Sequence, residues 1–143
     1  MTVKAILSRK GTEVLTIEPT ATLAAAAKML AQRRIGALVV TGPGYRIVGI
    51  ISERDIVRAL DARGTVVLDA PVAEVMTRKV VTCSQDETIA EIMERMTSGK
   101  FRHVPVVEQG RLAGIVSIGD VVKARLEDLE REQAALRDYI RTA

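Results

Sequence analysis

Residues 49–59 return as residues 114–124, an offset of 114 − 49 = 65, and this internal duplication constrains the fold more than any other feature. Six of the eleven aligned positions are identical: Gly49/Gly114, Ile50/Ile115, Ser52/Ser117, Asp55/Asp120, Val57/Val122 and Ala59/Ala124. Three more exchange like for like, Ile51/Val116, Ile56/Val121 and Arg58/Lys123. A tandem duplication explains the match, and a duplicated polar pair demands a physical reason.

The match extends upstream. Val14 to Thr16 aligns with Val80 to Thr82, Thr22 to Ala24 with Thr88 to Ala90, and Val40 with Val106, all at an offset of 66. Val3 to Lys10 resembles Val72 to Lys79 at an offset of 69, which leaves Gly11 to Glu13 as an insertion in the first copy. A copy of sixty-odd residues buries only a marginal core alone, so two halves, 1–64 and 65–143, are expected to pack as one unit.

Each copy reads as strand, helix, strand, strand, helix. Ile89, Ile92, Met93 and Met96 form an apolar stripe at helical spacing, with Asp86 placed to cap its start and Gly99 to end it. The first copy has the counterpart from Thr22 to Arg33, with Thr20 at the cap position. β-rich pairs follow, Ala37–Val40 with Ile47–Ile51 and Val104–Val107 with Leu112–Val116, each running into a helix near Glu53 or Ile118. Preceding strands are expected at Val14–Ile17 and Val80–Cys83. The fold class is therefore α+β, with an extended last helix. Val122, Leu126, Leu129, Gln133, Leu136 and Ile140 step by 4, 3, 4, 3 and 4, a heptad seam suited either to self-association or to lying on its own domain.

Ser52 and Asp55, like Ser117 and Asp120, stand three apart where a strand turns into a helix. One reading is a capping box, in which hydroxyl and carboxylate satisfy free N–H groups. The other is a ligand site: a helix N-terminus and a hydroxyl attract phosphate, and an acceptor-only carboxylate suits the hydroxyl pair of a ribose.

On these motifs the span from Val3 to about Leu126 resembles a tandem pair of cystathionine β-synthase-type domains, a Bateman module, with His103, Val104, Pro105 and Val106 as a further match in the second copy. The resemblance implies two clefts between the domains that bind adenine nucleotides such as AMP, ADP, ATP or NAD(H), and pairing of modules into a homodimer. It places Asp55 and Asp120 on ribose, Ser52 and Ser117 on the phosphate side, and Thr16, Ile17, Thr82 and Cys83 around the base. Arg102 and His103 would face phosphates. The first copy has Gly36 and Ala37 there, so the clefts are expected to differ, with Arg54 compensating and Glu53 opposing an anion. Lys10 and Gly11 are expected to be either a solvated loop or a flexible cationic element able to close over a nucleotide.

The remaining composition argues against other classes. A single histidine, His103, and a single cysteine, Cys83, supply neither a zinc cluster nor a convincing nucleophilic dyad, and no P-loop or dinucleotide glycine motif occurs, so no catalysis is expected. The net charge of +3 comes from interleaved charges, and two Tyr, one Phe and no Trp offer little for base stacking, so nucleic acid is not the expected partner. No apolar run reaches membrane-spanning length, and a cytoplasmic location is expected. The leading reading is an energy-sensing regulatory module that signals to a protein partner, its movable outputs being residues 1–13 and the helix after Leu126. The alternative is a ligand-independent scaffold.

Overall fold

The computed structural model describes residues 1–142 and follows the duplicated order. The elements are α1 (Val3–Lys10), β1 (Thr16–Ile17), α2 (Leu23–Arg33), β2 (Ala37–Thr41), β3 (Ile47–Ser52), α3 (Glu53–Arg63), α4 (Ile89–Gly99), β4 (His103–Glu108), β5 (Arg111–Ser117) and α5 (Ile118–Thr142). In the first half β1 runs parallel to β2, and β2 pairs antiparallel with β3; in the second, β4 and β5 form an antiparallel hairpin. Gln109 and Gly110 turn that hairpin with φ of 51° and 75°, the left-handed pair that matches strand twist.

The strand expected at Val80–Cys83 shrinks to a single bridge, Cys83 beside Val106. Pro105 explains it. In the first half the amide of Val39 donates to the carbonyl of Leu15 at 3.4 Å, and the positions equivalent to these two are Pro105 and Val81. Proline has no N–H to give, so the second ladder stops at the two bonds Cys83 makes with Pro105 and Val107. The helix caps also lie two residues beyond Thr20 and Asp86. The hydroxyls of Thr22 and Thr88 accept the amides of Ala25 and Glu91, and α2 and α4 start behind them. Gly99 is the last residue of α4, where a Cβ would lie 2.1 Å from the Phe101 ring; the left-handed turn falls to Lys100.

The two cores exchange segments across the chain. Val3, Ile6 and Leu7 of α1 are buried with Ile92, Val104 and Val116 of the second half. Val67, Val72 and Met76, which follow α3, are buried with Leu38, Ile51 and Ile56 of the first. The docking bonds are repeated: Val72 donates to Ala21, and Val3 to the equivalent Glu87; Leu23 donates to Ala70, and Ile89 to Met1. Each core is therefore completed by a segment from the other side of residue 64. The duplicated glycine belongs to this docking. At Gly49 a Cβ would lie 2.5 Å from the Met76 sulfur, and at Gly114 it would lie 2.8 Å from a Leu7 methyl. Among the described residues no helix is long and apolar enough to cross a membrane.

Candidate functional site

Both Ser/Asp pairs form reciprocal caps. The Asp55 amide donates to the Ser52 hydroxyl at 3.2 Å, and the Ser52 amide donates to the Asp55 carboxylate at 3.0 Å. The Ser117 and Asp120 bonds are 3.2 and 2.9 Å. The Ser52 hydroxyl also donates to Asp55 Oδ2 at 3.0 Å, so it is spent on the cap. The capping reading accounts for the motif itself, and any binding role has to rest on what surrounds each carboxylate.

The surroundings differ sharply. Around Asp55 a cavity of about 830 Å³ opens between the halves. The first half contributes Ile50, Ser52, Arg54, Asp55 and Arg58; the segment after the linker contributes Thr77, Lys79, Val80 and Val81; the second half contributes Lys100, Arg102 and His103. Five of these side chains are cationic (Arg54, Arg58, Lys79, Lys100 and Arg102), against the carboxylates of Glu53 and Asp55. Asp55 lines the cavity, and its Oδ1 accepts only from the Thr77 hydroxyl, at 3.3 Å, a weak bond that another hydroxyl can replace. Gly36 lets the His103 ring approach closely, since a Cβ there would lie 3.1 Å from it. Arg102 and His103 thus share one cleft with Gly36 and Ala37, instead of marking separate clefts.

At Asp120 the chain itself supplies the carboxylate's partner. Lys10, the last residue of α1, donates to Asp120 Oδ2 at 2.7 Å and to the Ile115 carbonyl at 3.0 Å. The hollow beside it, bounded by Ile6, Arg9 and Lys123, holds only about 120 Å³. Burial opposes the charge on Asp120, but the Lys10 ammonium and the Ser117 amide outweigh it and hold this carboxyl below its ordinary value. Burial first, and then the Lys10 charge, push His103 below its ordinary value and keep its imidazole neutral at neutral pH.

Several expected contacts lie elsewhere. Ile17, Cys83, Val104 and Pro105 are buried, and neither they nor Thr16 and Thr82 line the Asp55 cavity. Desolvation raises the Cys83 thiol to about 11, an inert core setting. Gly11 is the exposed cap of α1, with φ of 96°. Thr77, Lys79 and Lys100 also line the cavity, although no local sequence motif marks them. The alignment held a signal for one of them, since Lys79 is the repeat equivalent of Lys10.

A family model for the CBS domain matches residues 3–62 and again 72–127. The chain belongs to the CBS-domain family. Its fold superposes on a CBS-domain containing protein from Agrobacterium tumefaciens with a TM-score of 0.85 and 49% identity, covering 87% of this chain and 99% of that one. It is also similar to a CBS domain protein from Pyrobaculum aerophilum complexed with AMP (TM-score 0.75, 31% identity, 84% and 89% coverage). A third neighbour is the CBS domain pair of protein MJ0100 in complex with 5′-methylthioadenosine and S-adenosyl-L-methionine (TM-score 0.79, 29% identity, 90% and 98% coverage). Some curated relatives are longer: the chain spans 58% of a mitochondrial CBS domain-containing protein of Arabidopsis thaliana, to which it is 36% identical over 119 residues.

Proposed function

We propose that this CBS pair is a regulatory module whose Asp55 cleft binds one adenosine ligand bearing phosphate, of the class AMP, ADP, ATP or NAD(H), and reports its occupancy to a protein partner. The observation that carries this reading is the Asp55 cavity. Its volume lies within the range of small-molecule sites, its cations suit phosphate, Asp55 Oδ1 suits ribose, and Ile50, Val80 and Val81 offer an apolar surface for a base. The AMP in the Pyrobaculum neighbour supports the ligand class. The Asp120 cleft contributes differently. Its anion is neutralised by Lys10, and α1 is tied to α5 through the Met1 amino group on Asp128 and Arg9 on Glu127. These three separate ion pairs hold α1 and the residues before it against α5.

Calorimetry with AMP, ADP, ATP, NADH and unphosphorylated adenosine tests the reading. One equivalent of a phosphorylated ligand per chain is expected to bind, with adenosine much weaker. At ligand about 100 times its dissociation constant, mass action adds roughly 2.7 kcal/mol of stability, visible as a raised melting temperature. Absence of heat and of thermal shift with every compound would leave the ligand-independent scaffold as the better description.

A further inference from the structure

Beyond Asp128, helix α5 leaves the body of the protein, and every described residue from 129 to 142 is exposed. The inward face of α5 carries Val121 and Ala124, both buried. At about 100° per residue, the seam of Val122, Leu126, Leu129, Gln133, Leu136 and Ile140 lies roughly 120° round from that face. Leu126, Leu136 and Ile140 are 55%, 60% and 65% exposed. A solvated helix of this length is marginal on its own, and an apolar stripe on it needs a partner. The structure excludes the bland expectation that the seam lies on its own domain.

We infer that residues 122–140 of α5 form a parallel, in-register two-stranded coiled coil with the same segment of a second copy of this chain. The flanking charges select both the partner and the direction. With Leu126, Gln133 and Ile140 at the a positions, Arg125 and Glu132 fall at g, and Lys123, Glu130 and Arg137 at e. A parallel pair sets each g residue against the e residue five further along the second copy, giving Arg125 with Glu130 and Glu132 with Arg137, each formed twice. The antiparallel pair that stacks the same seam sets Glu130 on Glu130, Glu132 on Glu132 and Lys123 on Arg137, all repulsive. It also places the Gln133 amide against Leu129, whereas the parallel pair lets the two Gln133 amides meet and hydrogen-bond.

The inference stands apart from ligand binding and is tested on the full chain. Sedimentation equilibrium at micromolar concentrations is expected to give twice the 15.5 kDa of one chain. Glu132→Arg sets like charges face to face and is expected to weaken association by roughly tenfold or more. The double variant Glu132→Arg/Arg137→Glu restores opposite signs and with them the dimer. Gln133→Cys is expected to give a covalent dimer on mild oxidation, while the parent does not, since Cys83 is buried. A monomeric parent, a dimer indifferent to Glu132→Arg, or a Gln133→Cys variant that stays uncrosslinked overturns the inference.

Discussion

Asp55→Ala is expected to weaken AMP binding by roughly 10- to 100-fold, the cost of about 1.5–3 kcal/mol for losing hydrogen bonds to a charged acceptor. The same change removes the acid of the α3 capping box, so about 1 kcal/mol of stability goes with it. Asp120→Ala separates the two effects. It dismantles the equivalent cap on α5, but its carboxylate already holds Lys10, so the affinity for AMP is expected to stay close to that of the parent. Calorimetry and thermal denaturation on both variants give the comparison. Equal affinity losses at Asp55 and Asp120 would show that the two clefts are interchangeable, against their geometry.

The second large effect is on stability. Gly49→Ala is expected to cost about 1–3 kcal/mol, the usual penalty of overpacking a filled core, and to lower the melting temperature by several degrees. The added Cβ would lie 2.5 Å from the Met76 sulfur and 3.0 Å from the Thr77 carbonyl. Met76 can turn aside, but Thr77 exchanges two backbone hydrogen bonds of 2.9 Å with Ile50 and cannot retreat without breaking them. Gly114→Ala is the control. The three atoms nearest its Cβ all belong to the Leu7 side chain and none to the backbone, so a smaller loss is expected even though the sequence makes the two glycines equivalent. Differential scanning calorimetry of the pair checks the order, and a larger loss at Gly114 would contradict it.

How much of this was legible depends on whether the signal was local. The order of elements in both copies, the starts of α3 and α5, and the strand-to-helix position of both Ser/Asp pairs follow from periodicity and from the repeat itself. The exchange of segments between cores was not legible. Val3, Ile6 and Leu7 carry the same apolar pattern as Val72, Val75 and Met76, and either segment satisfies either core by composition; only the chain path decides. The lost strand at Val80–Cys83 has a local signal, because Pro105 occupies the place where Val39 donates. The caps at Thr22 and Thr88 were displaced because Thr20 and Asp86 are equally good capping residues two positions earlier.

In the candidate site, Ser52, Arg54, Asp55, Arg102 and His103 are the residues that the motif and the family resemblance point to, and all five line one cavity. Lys79 and Lys100 escaped notice because surface lysines carry no local signature; the fold gives them meaning by bringing the linker and the end of α4 to the same opening. Lys10 reads in the sequence as a flexible cation, yet its position at the end of a docked helix makes it the ion-pair partner of Asp120. A one-residue match in the alignment distinguishes Lys10 from Lys79 in neither sequence nor charge, and the difference arises from what each carboxylate already holds.

The account is tested most directly by two-dimensional NMR of labelled protein titrated with AMP. The predicted result is a set of saturating shifts at Lys79, Lys100 and Arg102, with the ring of His103, the single histidine, titrating at a higher pH once a phosphate dianion stands beside it. Lys10 and Asp120 should keep their resonances. Shifts centred on Lys10 and Asp120, with Lys79 and Lys100 unmoved, would place the ligand in the other cleft and contradict the account.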